Sequence, residues 1–229
     1  MNEPKVLIHS LFRNRAAHVE KFLVQLALLD WPSKRLELLC NEGDSTDETP
    51  ALLDRLAPEC HFPATVFHRS FGGPLFGSVW DPFRLRLLAE VSNWGIEQAM
   101  KRDFDYLLFC ESDLLLPTNL LRRLVSIERD VVAPQILSRG SGGFYDTKCF
   151  VNLQGQEFQG QRLPENGEPF EVQSVGSCVL VRRAVLEIRE ALDGGVRMTP
   201  QESIRGFCGE ARARGFHVYT DPTLLVWHP

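Results

Sequence analysis

The chain lacks several things that would place it in other classes. None of its six cysteines, Cys40, Cys60, Cys110, Cys149, Cys178 and Cys208, is spaced as CxxC. That spacing argues against a zinc site. Most of them lie inside apolar runs such as LLFC and SCVLV, which reads as buried reduced thiols and favours a reducing compartment. The amino terminus, MNEPKVLIHS, has no basic segment followed by a long apolar run, so no secretory signal is expected. No stretch is long and apolar enough to predict a membrane span. A cytoplasmic protein is the expectation. There is no internal repeat, no low-complexity segment and no basic stripe of the kind a nucleic-acid surface needs. The formal net charge is −5, so an anionic ligand would have to meet locally concentrated cations or a bound metal.

What is present is a well-patterned globular sequence. Of 229 residues, 44% are hydrophobic, enough for a substantial core. KVLIHS at 5–10, LELLC at 36–40, ATVF at 64–67 and YLLFC at 106–110 read as short strands. Between them, apolar residues at Val19, Phe22, Leu23, Leu26 and Leu29 recur at helical spacing, and 83–101 is a second amphipathic helix. Strand and helix alternate, which predicts a parallel sheet. In such sheets ligands bind beyond the carboxyl ends of the strands. Four polar clusters fall there: 10–15, 42–47, 68–70 and 111–113. The second half is mixed. A strand is predicted from Val131, two around Gly176, a helix over 202–214 ended by Gly215, and two closing strands at 217–220 and 224–228. A composition shift near Pro134 suggests two functional halves, 1–116 and 117–229, fused in one domain.

Glu111-Ser112-Asp113 stands out chemically. Two carboxylates end an apolar strand and precede another apolar run. So close to a core they repel each other unless a cation offsets them, and a divalent cation on oxygen ligands would also bridge phosphates.

These motifs, in this order, resemble glycosyltransferases of the GT-A fold, similar to family 2 and to its Anp1-like and procollagen-glycosyltransferase relatives. The resemblance implies a Rossmann-like nucleotide-binding half with a mostly parallel sheet, fused to a mixed acceptor-binding half. Glu111-Ser112-Asp113 takes the place of the DxD motif, with Glu in place of the first Asp. The resemblance implies Asp113 as a direct ligand of Mn2+ or Mg2+, Glu111 near the ribose or the metal, and the late His228 as a further ligand. His9-Ser10-Leu11-Phe12-Arg13 is similar to the family's PTYNR, which implies donor contacts from Ser10 and Arg13. Asn41-Glu42-Gly43-Asp44-Ser45-Thr46-Asp47 resembles DDGSTD and implies Glu42 at the base. Arg86 and Asn93 resemble the Arg and Asn of the preceding helix, with Arg84 the competing arginine. Gly176, in VGSCVLVRR, would let backbone approach the sugar. The segment from Glu202 to Phe216 resembles ED.dlC.rAr..Gy, which implies Glu202 as the base that deprotonates an acceptor hydroxyl, with Asp146 in reserve.

The expected activity is metal-dependent transfer from a UDP- or GDP-sugar to a saccharide, glycan or protein hydroxyl, with inversion. A sugar nucleotidyltransferase is the rival enzyme, but HSLFRNR lacks its Gly-rich basic signature. The other rival is a non-catalytic nucleotide-sugar or carbohydrate-binding module.

Overall fold

A computed structural model describes residues 3–74, 76, 78, 81–158, 162–163, 167–187 and 195–229. Its centre is an eight-stranded sheet in the order β3-β2-β1-β4-β7-β5-β8-β6. The strands are β1 Val6–Phe12, β2 Leu36–Glu42, β3 Ala64–His68, β4 Tyr106–Cys110, β5 Val131–Ser138, β6 Phe170–Glu171, β7 Cys178–Arg182 and β8 Val218–His228. β3, β2, β1 and β4 run parallel, and β7 is antiparallel to both β4 and β5. β8 lies parallel to β5, and β6 closes the edge antiparallel to β8.

Among the described residues, six α-helices cover the two faces. α1 Ala16–Ala27, α2 Thr49–Leu56 and α4 Leu120–Ser126 pack on one face, with Phe22, Leu53 and Leu121 against Ile8, Leu38 and Leu108. α3 Pro82–Met100, α5 Arg183–Leu186 and α6 Ile204–Ala213 cover the other, with Ile96, Leu186 and Phe207 against Leu7, Leu39 and Leu107. Both faces of the parallel strands are therefore apolar, which is why β4 reads as an unbroken hydrophobic run. Among the described residues no helix is long and apolar enough to cross a membrane. All six cysteines are free thiols, and Cys40, Cys110, Cys178 and Cys208 are buried.

Local chemistry sets the helix starts. Asp81 caps α3 by accepting from the backbone N–H groups of Phe83 and Arg84. Asp47 joins two helix beginnings, accepting from Thr49 N at 3.0 Å and from Ala16 N at 3.1 Å. Gly215 follows the end of α6 at φ +85°, a conformation that suits glycine.

Two element expectations need correction. The closing strands expected at 217–220 and 224–228 are a single strand, β8. Its register against β5 jumps from Pro134↔Asp221 to Gln135↔Leu225. Residues 222–224 bulge out, so the proline at 222 does not end the strand. The strand expected over 171–175 is only the two-residue β6, Phe170–Glu171.

Candidate active site

Successive side chains on a strand point to opposite faces. On β1, β2 and β4 the odd-numbered side chains face α3. Toward the carboxyl ends of the strands, this series runs through His9, Leu11 and Arg13, through Asn41 and Gly43, and through Phe109 and Glu111, all of which line clefts beneath α3. α3 supplies the opposite wall and divides the space. Leu85 and Ser92 face one cleft of about 380 Å³, and Leu87 and Val91 face a second of about 410 Å³. Leu11, Arg84, Leu88, Glu111 and Tyr145 belong to both and form the partition.

The second cleft ends at Glu111, Asp113 and His228, each of which offers a ligand atom within 4.8 Å of the others. Ser112 builds this turn by donating its Oγ hydrogen to Leu11 O at 2.7 Å, which ties β4's exit to β1. Asp113 is 7% exposed. Its Oδ2 lies 3.0 Å from Arg15 Nη2 and 3.6 Å from His228 Nε2, while its Oδ1 is buried with no hydrogen-bond partner. His228 stacks on Tyr145 with ring centroids 3.8 Å apart and planes 10° from parallel. Glu111 reaches solvent through the cleft mouth, but protein surrounds its carboxylate on the other sides. That desolvation first, then the negative charges of Asp146 and Asp113, push its pKa up to about 8. An orphaned buried carboxylate oxygen, a second acid with a raised pKa and an imidazole are a donor set that fits a hard or borderline divalent cation.

The first cleft holds the remaining acids. Asp146 is 8% exposed. Its Oδ2 accepts from Ser177 N at 3.1 Å and its Oδ1 from Ser177 Oγ at 2.8 Å. Burial pushes its pKa up to about 6, against these bonds. Gly176 is explained by the same carboxylate: a Cβ there would lie 2.5 Å from Asp146 Cγ. Glu202 stands exposed on the rim, just before Ser203 at φ +48°. Asn93 reaches out of α3 to clamp the approach to Glu202. Its Nδ2 donates to Met198 O at 2.9 Å and its Oδ1 accepts from Met198 N at 2.8 Å.

Other expected contacts lie elsewhere. Ser10 and Glu42 have even numbers and face α1 and α2, outside both clefts. Ser10 is wholly buried. Glu42 accepts from Ser45 N at 3.1 Å and faces His68 Nδ1 at 3.1 Å, so it shapes the turn after β2. Arg86 is exposed and lines neither cleft. Arg84, two positions earlier on α3, lines both, and its charge opposes the rise in the Glu111 pKa. Arg13 lines the second cleft and donates to Gly73 O. Asn41, Arg15 and Tyr145 were not singled out from sequence. Strand parity, counted back from Glu111 and across to Leu39, would have pointed to Asn41.

Residues 3–182 match the family described as glycosyltransferase family 25, N-terminal domain. The chain belongs to glycosyltransferase family 25. A family 25 member from Aedes aegypti is 30% identical over 146 residues, covering 60% of this chain and 24% of that protein. The inactive glycosyltransferase 25 family member 3 of Homo sapiens is 31% identical over 144 residues, covering 59% of this chain and 24% of that protein. The matched part thus spans about a quarter of the length of these relatives. Two solved structures superpose along nearly the whole chain. Residues 1–349 of S. aureus TarS, in complex with UDP-GlcNAc, give a TM-score of 0.66 at 14% identity, covering 97% of this chain and 58% of that one. The mannosyltransferase PcManGT from Pyrobaculum calidifontis, in complex with GDP-Man and Mn2+, gives 0.65 at 17%, covering 99% and 57%. The family 25 chain has the GT-A fold.

Proposed function

We propose that this chain moves a sugar from a UDP- or GDP-sugar to an acceptor hydroxyl. The observation that carries the reading is the convergence of Glu111, Asp113 and His228 around the unpartnered Asp113 Oδ1. In this reading Asp113, His228 and Glu111 hold Mn2+ or Mg2+, which when bound supplies Lewis-acid neutralisation of charge on the leaving diphosphate. The nucleotides on TarS and PcManGT, and the Mn2+ on PcManGT, support it by similarity of fold.

The chain's own residues bind and orient. The donor occupies the cleft between Asn41 and Asp113, mostly built from residues 1–116. Arg13, Arg15 and Arg84 bring positive charge to its diphosphate. The acceptor occupies the cleft of Asp146 and Glu202, contributed largely by residues 117–229. Glu202 takes the proton of the acceptor hydroxyl as that oxygen bonds to the anomeric carbon and the bond to diphosphate breaks, which inverts the configuration. Asp146 is less suited to that role because both its oxygens already accept from Ser177. It instead fixes the cleft floor against Gly176. A binding-only role is the second reading, favoured by the resemblance to an inactive human family member.

The test is nucleotide release from a panel of UDP- and GDP-sugars with Mn2+, with and without EDTA. Release that EDTA abolishes is expected, with Glu202→Gln lowering kcat by about 10²- to 10⁴-fold. Donor binding without release would support the second reading. Absence of both binding and release would sink the proposal, and near-normal turnover of Glu202→Gln would move the base to Asp146.

A further inference from the structure

His228 is the last residue of β8. Its backbone is anchored, since Arg139 N donates to its carbonyl at 2.8 Å. Its ring needs separate support, because the torsion that turns an imidazole about its Cβ–Cγ bond is broad. Nδ1 lies 3.2 Å from the backbone oxygen of Pro229. That oxygen only accepts, so in the neutral ring Nδ1 carries the hydrogen and Nε2 presents its lone pair. Nε2 is the nitrogen that faces Asp113, at 3.6 Å. The Pro229 contact thus selects the tautomer. It is a single exposed hydrogen bond to the next residue, and it leaves the plane of the ring weakly restrained.

Tyr145 supplies the missing restraint. Its ring and the imidazole lie with centroids 3.8 Å apart and planes 10° from parallel, so a turn of the imidazole would drive one edge into the phenol ring. Tyr145 is itself held in place. Leu137 of β5 pairs with Trp227 of β8 on one side and with Phe144 on the other, and Tyr145 N donates to Ile136 O at 2.9 Å. Phe144 before it is buried, and Asp146 after it is fastened to Ser177. The stack therefore spans the end of β5 and rests on an anchored residue.

Resting on the proposed function, we infer that Tyr145 is a positioning residue of the metal site, whose ring holds the His228 imidazole with its Nε2 lone pair aimed at the cation bound by Asp113 and Glu111. The lone pair lies in the plane of the imidazole, so tilting the ring swings it off the ion. A ligating histidine is ordinarily oriented by an acceptor at its other nitrogen. Here a flat ring face shares that role with the Pro229 oxygen.

Two measurements on the whole chain test this without turnover. Loss of the free-ion EPR signal reports Mn2+ affinity, and pulsed EPR of the bound ion reads the nitrogen coupling of a coordinated imidazole. Tyr145→Phe keeps the stack and should match the natural chain in both. Tyr145→Leu and Tyr145→Met keep apolar bulk without a flat face. Each should weaken Mn2+ binding by at least about 10-fold, and at saturating Mn2+ the nitrogen coupling should fall toward that of His228→Ala. Thermal unfolding shows which variants are folded, and either of these two suffices. Unchanged affinity in them, weaker binding with the coupling kept, a loss greater than that of His228→Ala, or a loss in Tyr145→Phe overturns the inference. So does a natural chain that binds Mn2+ with no nitrogen coupling. If the natural chain binds no Mn2+, the metal site of the proposed function falls with it.

Discussion

At the scale of single residues, neighbouring acids have different fates because their surroundings differ. Asp113 is buried beside Arg15 and His228, whereas Glu111 looks into both clefts and meets two other carboxylates. Glu42, on the far side of the sheet, works with His68. The two ring nitrogens of His68 face Glu42 at 3.1 Å and Asp54 at 2.7 Å. Only an imidazolium donates to both. The bond to Asp54, then that to Glu42, raises the His68 pKa above its ordinary value against a smaller opposing effect of burial. A raised folded pKa gives stability that is full below the unfolded pKa of about 6.5 and is lost as pH climbs through the folded value. The denaturation midpoint of the natural chain should thus exceed that of His68→Gln by a margin that shrinks as pH rises above about 6.5. A margin that stays flat or widens with pH would show that the pair of contacts is not charge-dependent.

At the scale of elements, α3 shows how helix and strand must be read together. Gly95 sits where the helix crosses His9, and a Cβ there would fall 2.2 Å from the imidazole Cε1 and Nε2. His9 is 2% exposed, and burial lowers its pKa to about 4, so a neutral ring packs against the glycine. Alanine ordinarily gains about 1 kcal/mol over glycine in a helix. Here overpacking costs about 1–3 kcal/mol, so Gly95→Ala should lower stability, and His9→Ala in the same chain should restore the usual gain. Chemical denaturation of both variants decides it. The apolar runs and helical spacing made the element order legible, and Tyr106–Cys110 was read to the residue. Facing was not legible from motif matching alone. Ser10 and Glu42 sit one position off the cleft-facing series, and Arg86 lies two positions past Arg84 on a helix whose rotation the motif does not encode. The bulge at 222–224 was hidden because only the register with β5 shows that a proline can be passed over.

At the scale of the whole molecule, one sheet brings distant sequence to one place. β4 carries Glu111 to the middle, β8 carries His228 back beside it, and β7 begins one residue after Ser177, which holds Asp146. The order of these strands in space, with β7 between β4 and β5, was not readable from local pattern, because it depends on long-range pairing. The same arrangement leaves Leu11, Arg84, Leu88, Glu111 and Tyr145 as a common wall of the two clefts. Under the proposed function this wall has a steady-state signature. A donor seated against it completes one side of the acceptor's cleft, so substrates should add in a compulsory order, donor first. Both must be present before the sugar moves, so double-reciprocal plots should intersect rather than run parallel. The released nucleoside diphosphate should compete with the donor and inhibit noncompetitively against the acceptor. Parallel lines would mean that the sugar is parked on the protein between two half-reactions, and the wall would then be a barrier rather than a shared surface.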